Sequence, residues 1–132
     1  MILRIARHTN KISELTAFYT EIIGLEIIGK FENHNGYDGV FIGKENMNWH
    51  LEFTASSDKT NQKINEDDLI VFYPDNKNEY EKILEKVKDK QINILNAKNP
   101  YWNENGILIK DPDGFGVIIS SLKIGTTTAN TD

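Results

Sequence analysis

The 132-residue chain has no cysteine. Disulfides, thiolate metal sites and a cysteine nucleophile are therefore excluded, whatever the compartment. No apolar run approaches the roughly 20 residues that cross a bilayer as a helix, so no membrane span is expected. No stripe of lysine and arginine stands out, and the net charge is -5. Nucleic acid is not an expected partner on that balance. The first residues, Met1-Ile2-Leu3-Arg4, run directly into a strand pattern. They are read as carrying no signal peptide, which makes the cytoplasm the expected location. A Ser–His–Asp arrangement, a P-loop and a dinucleotide fingerprint are all missing.

What is present suits one ordinary soluble domain: 39% hydrophobic and 27% charged residues, enough to bury a core without staples. Ile2 to His8 reads as a strand, with Leu3, Ile5 and Arg7 on one face and Ile2, Arg4, Ala6 and His8 on the other. Ile12, Leu15, Phe18, Tyr19, Ile22 and Ile23 recur at helical spacing. Ser13 is the expected cap of that helix, Glu14 lies in its first turn, and Gly24 is placed to stop it. Strands are expected at Leu25–Phe31, Tyr37–Ile42 and Asn48–Thr54. Ala55 to Asp67 is polar and aperiodic, as a linker or mobile loop would be.

The same order then returns. Asp68–Tyr73 reads as a strand, and Asn76–Lys90 as a helix with Tyr80, Ile83, Leu84 and Val87 on one stripe. Ile92–Leu95 reads as a short strand, and Asn99 to Asn103 as a loop bearing Tyr101 and Trp102. The hairpin closes on Asp111-Pro112-Asp113-Gly114, where proline presets φ, aspartate bonds nearby amides and Gly114 tolerates positive φ. The fold class predicted is α+β: two βαβββ modules forming a curved mixed sheet with a concave cleft, helices on the convex side. A single domain over 2–122 and a disordered tail over 123–132 are expected.

Two motifs in this pattern resemble a known family. Phe18-Tyr19-Thr20-Glu21-Ile22-Ile23-Gly24-Leu25 looks like the helix-end motif of the vicinal oxygen chelate superfamily. That group includes glyoxalase I, the bleomycin-resistance proteins and the extradiol dioxygenases. Asp111-Pro112-Asp113-Gly114 before an apolar strand is similar to the closing hairpin of the same group. The resemblance covers roughly residues 2 to 122 and implies the fold more than any one chemistry.

Family enzymes hold a divalent metal on four strands, typically through His, Gln or Glu. Carried over from the motifs, those positions fall on Arg4, Glu52, Asp68 and Ile118. Arginine has no lone pair to offer a metal, and isoleucine cannot ligate. The resemblance thus implies a degenerate metal site, with no cofactor favoured. It implies a small-molecule binding (sequestration) protein whose cleft holds Arg4, His8, His50, Glu52, Asp68, Tyr101 and Trp102. The ligand would be anionic or aromatic, met by the Arg4 fork and by Tyr101 or Trp102, and the protein would be a homodimer.

The other reading is a metal-dependent lyase or dioxygenase. His8, His50 and Glu52 would then form a two-His, one-carboxylate set for zinc, nickel, manganese or iron, with Glu52 as the proton acceptor or a ligand. The plainer reading of each residue stands alongside: His8 and His50 as ordinary polar side chains, and Arg4 paired with Glu52 or Asp68 for charge balance. Tyr101 and Trp102 would simply pack their own loop onto the domain.

Overall fold

The computed structural model describes residues 1–124, and the expected tail lies outside the described residues from 125 onward. The chain divides into two units, Met1–Lys63 and Ile64–Asp132. Each repeats one plan, and the architecture is α+β with two βαβββ-type modules.

In the first unit, β1 (Leu3–His8) is followed by α1 (Ile12–Ala17), then β2 (Glu26–His34), β3 (Tyr37–Gly43) and β4 (Trp49–Ala55). The sheet order is β1-β4-β3-β2, with β1 parallel to β4 and the other pairs antiparallel. The parallel pair needs a crossover, which α1 and β2–β3 supply.

The predicted helix forms, but its second half, Phe18–Ile22, widens into π-helical turns. Ile23 N–H reaches Phe18 O at 3.3 Å, five residues back. Two threonine hydroxyls bond backwards just here, Thr16 to Ile12 O at 2.7 Å and Thr20 to Thr16 O at 2.8 Å, a pairing that loosens helices. Ser13 is not the cap. It lies inside α1, whose cap position is Lys11. The hydroxyl at the helix entry is that of buried Thr9, which accepts from Lys11 N–H at 2.9 Å. Gly24 ends the helix at φ 88°.

The core of this unit follows the strand alternation. Val40, Ile42, Leu51 and Phe53 are buried, as are Leu15, Phe18, Tyr19, Ile22 and Ile23. The α1 helix packs on β3 and β4, and Tyr19 stacks on Phe53 at 5.3 Å. Segment 56–63 is tied down rather than a free linker. Asn10 exchanges two hydrogen bonds with the Thr60 backbone, at 2.9 and 3.0 Å, and Gln62 Nε2 donates to His8 O.

The second unit runs β5 (Leu69–Phe72), α2 (Lys77–Asp89), α3 (Pro100–Asn105), β6 (Gly106–Lys110) and β7 (Gly116–Ser120), in sheet order β5-β7-β6. Asn76 caps α2 by accepting from Glu79 N–H at 2.8 Å. The expected strand Ile92–Leu95 shrinks to a single bridge, Leu95 with Leu108. The module is therefore the first one with its outer strand reduced to a residue. The expected loop at Asn99–Asn103 is instead the start of α3. Asn99 accepts from Tyr101 N–H at 3.1 Å, and Pro100 takes the first helical position, where its missing N–H costs nothing.

Asp111 organises the closing turn. Buried, it accepts from Asp113 N–H at 2.9 Å and Phe115 N–H at 3.0 Å, while Gly114 sits at φ 87°. Every residue of β7 is buried.

Candidate functional site

Alternation along β1 and β4 decides which side chains meet. In the register Arg4 faces His50, Ala6 faces Glu52 and His8 faces Thr54. Leu51 and Phe53 turn into the core, so Arg4, Ala6, His8, His50, Glu52 and Thr54 share the opposite, open face. The next strand adds Phe41 beside Glu52 and Gly39 beside Thr54. The outer strand adds Phe31, opposite Gly39, and Gly29, opposite Phe41.

Arg4 is the centre of this face. Its Nε donates to His50 Nε2 at 2.9 Å, which puts the His50 ring proton on Nδ1. Nη1 lies 3.7 Å from Glu52 Oε1, and the guanidinium carbon sits 4.5 Å from the Phe41 ring centroid, a cation–π distance. The side chain of Arg4 is 51% exposed and that of Glu52 is 14% exposed. His50 also meets the Phe41 ring edge-to-face at 5.9 Å.

Phe31 and Phe41 form an aromatic row, 5.9 Å apart. Each ring lies across the glycine of the facing strand, and a Cβ on Gly39 would fall inside the Phe31 ring. Sequence reasoning passed over this row. Its signal was two Gly-x-Phe steps, Gly29-x-Phe31 and Gly39-x-Phe41, in strands expected to pair.

His8 stands one row further along. Its Nδ1 is 2.8 Å from Thr54 Oγ1 and its Nε2 is 3.2 Å from Ser56 Oγ. The ring meets Tyr37 edge-to-face at 5.8 Å. Both ring nitrogens are therefore engaged by hydroxyls, and His50 Nε2 is engaged by Arg4. His8, His50 and Glu52 share a face without converging. Among the described residues no group of three or more histidines and carboxylates is placed to hold a metal ion.

The remaining predicted residues belong to the second unit. Asp68 is exposed just before β5, its amide donating to Asn65 O at 3.0 Å. Tyr101 is exposed on α3. Trp102 is half-buried and packs against the cluster of Ala97, Leu108 and Ile118, together with Leu69 and Val71. Asn103 holds that corner by exchanging two hydrogen bonds with the Ala97 backbone, at 2.7 and 3.1 Å. Ile118 is fully buried. Of the four positions that the resemblance implies for a metal, Glu52 and Asp68 carry carboxylates, while two do not fit one: Arg4 is a cation bonded to His50, and Ile118 is core.

The two βαβββ modules and the Asp111–Gly114 hairpin define a fold of the vicinal oxygen chelate class. Glyoxalase I of Leishmania major has it, at TM-score 0.70 and 18% identity over 91% of this chain and 85% of that one. The antibiotic-binding protein TnmS3 of a Streptomyces species shares it at TM-score 0.64 and 12% identity, covering 91% and 93%. The YycE-like N-terminal domain matches residues 3–54 and the YycE-like C-terminal domain residues 67–121. The chain belongs to the YycE-like family. The uncharacterized protein YycE of Bacillus subtilis (strain 168) is 38% identical over 122 residues, 92% of this chain and 88% of its own. The crystal structure of a Bacillus subtilis YycE protein of unknown function, provisionally described as a glyoxalase/fosfomycin resistance protein, superposes at TM-score 0.81. It is 39% identical and covers 90% of this chain and 88% of that one.

Proposed function

We propose that this protein binds a small molecule on the open face of its first unit without a metal. It works by sequestration, as a glyoxalase/bleomycin-resistance-like binding protein. The observation that carries this reading is Arg4. At the place of the first metal ligand it holds His50 at 2.9 Å, lies over Phe41 at 4.5 Å and stands beside Glu52 at 3.7 Å. A cation already bonded there competes with any metal for the same space and the same carboxylate. The aromatic row Phe31–Phe41 supports a ligand with a flat apolar part, and Arg4 supports one with a polar group reaching it. The antibiotic-binding TnmS3 has the same fold, a precedent for binding on this architecture.

The competing reading, a lyase or dioxygenase using His8, His50 and Glu52, requires His8 to release Thr54 and Ser56 and His50 to release Arg4. A homodimer in the cytoplasm completes the proposal. The exposed apolar side chains of Leu3, Ile5, Ile27 and Ile28, on the edge strands β1 and β2, support self-association.

A thermal-shift panel of chemically diverse small molecules tests the proposal, run on wild-type protein with and without chelator. Stabilising hits should survive chelation and disappear in Phe41→Ala. Hits that need about one divalent ion per chain, and that vanish in Glu52→Ala, would establish the metal-dependent reading instead.

A further inference from the structure

Arg4 and Glu52 stand side by side, and both have hydrogen-bonding capacity that no described protein group takes up. A guanidinium carries five N–H groups. Nε uses one on His50, and neither Nη makes a hydrogen bond among the described residues. The 3.7 Å from Nη1 to Glu52 Oε1 exceeds the hydrogen-bond limit of about 3.2 Å. The two groups are thus an ion pair without a hydrogen bond, and Glu52 accepts none from any described group. A donor edge and an acceptor edge therefore lie next to each other on the same face. Glu52 is flanked on one side by Ala6 of β1, which presents only a methyl group, and on the other by Phe41 of β3, where the aromatic row begins.

An anionic ligand gains little at such a site. Arg4 attracts it, Glu52 at a similar distance repels it, and the two Coulomb terms nearly cancel. Hydrogen bonding does not cancel, because each group exchanges water for a ligand partner at a modest net gain. The complement of a donor beside an acceptor is an acceptor beside a donor, both pointing the same way. A cis-amide edge has that form, with its C=O and N–H side by side in one plane. A guanidinium and a carboxylate both bond in their own planes, which favours a flat ligand.

Resting on the metal-free binding reading, we propose that the site takes a flat, uncharged heterocycle through a cis-amide edge, as in a lactam, imide or pyrimidinone. The carbonyl accepts from an Arg4 Nη and the ring N–H donates to Glu52.

Calorimetric titration of the full chain with isoquinolone, N-methylisoquinolone and naphthoate tests it. Isoquinolone should bind at least about tenfold more tightly than its N-methyl analogue, since methylation leaves Glu52 unpaired. Naphthoate should bind no more tightly than isoquinolone. In Glu52→Met the gap between the two lactams should close to within about threefold, and Arg4→Met should weaken both lactams together. The comparison of ligands on wild-type protein stands even if a variant folds poorly. Equal affinity for the two lactams overturns the proposal. So does preferential binding of naphthoate that strengthens in Glu52→Gln, which would mark an anion site. If no probe binds while the diverse panel still yields chelator-resistant hits, the ligand class is wrong and the binding reading stands. If the panel is empty too, both fall.

Discussion

Placing a carboxylate at Ile118, the last of the ligand positions that the family resemblance implies, through Ile118→Glu, should cripple this protein. Ile118 is 0% exposed. It faces Leu108 and Val71 across the sheet and packs with Ala97, Leu69 and Trp102. Losing the buried isoleucine costs roughly 2 kcal/mol. The new carboxyl has no polar partner in that cluster, and staying ionised there is worse than taking a proton. Holding a glutamate of ordinary pKa about 4.3 neutral at pH 7 costs about 4 kcal/mol. An unpartnered neutral acid adds about 1–3 kcal/mol more. The sum, roughly 7–9 kcal/mol, rivals the entire stability of a domain this size.

Urea unfolding followed by circular dichroism measures the effect, with Ile118→Val, at about 1 kcal/mol, as the packing control. The sign of the pH dependence is also set. Burial raises the folded-state pKa of the new glutamate above its unfolded value. The cost of holding that proton is therefore absent below about pH 4.3 and grows with pH, by about 1.4 kcal/mol per unit toward neutrality, while the packing and unpartnered-acid costs remain at every pH. A variant melting within about 3 °C of wild type, with no pH dependence, would refute the reasoning. It would show Ile118 facing solvent rather than an apolar cluster.

Three further outcomes can be measured on the same scale. Asp111→Ala should lose about 2–4 kcal/mol in urea midpoint analysis, because it strands the amides of Asp113 and Phe115, while Asp111→Asn keeps an acceptor and loses less. Gly39→Ala should cost about 1–3 kcal/mol by displacing the Phe31 ring, and a double-mutant cycle with Phe31→Leu should show relief rather than additivity. Burial raises the Tyr80 phenol above its usual value of 10.0. The native state thus holds that proton longer than the unfolded chain, and stability falls as pH rises above about 10. Tyr80→Phe should remove that component of the alkaline loss, and ultraviolet titration should find a tyrosine ionising later than the exposed ones.

The module plan was legible because it is carried by short-range regularities. Helical spacing of Ile12 to Ile23 and of Tyr80 to Val87, alternation along Trp49–Ala55 and the Asp111–Gly114 turn all act within a few residues. The face shared by Arg4, His50 and Glu52 was legible for the same reason, since period-two alternation assigns sides before any partner is known. The helix α3 was misread although its signal was present: Asn99-Pro100 is a cap followed by a proline at the first helical position, and an Asn-Pro step also opens turns. The strand at Ile92–Leu95 was overread, because apolar residues alone do not say whether a neighbour is available to pair.

By itself, then, the sequence determined the two modules, their order and the closing hairpin, and it marked Arg4 and Ile118 as side chains with no lone pair to offer a metal. Only the tertiary structure decided what those residues do instead. That Arg4 bonds His50 and lies over Phe41, that His8 spends both nitrogens on Thr54 and Ser56, and that Trp102 closes over Ile118 depend on residues tens of positions apart. Alternation chooses a face. Strand register, set in the first unit by the pairing of β1 with β4 and of β2 with β3, chooses the neighbour, and a slip of one residue in a strand would have turned its side chains to the other side.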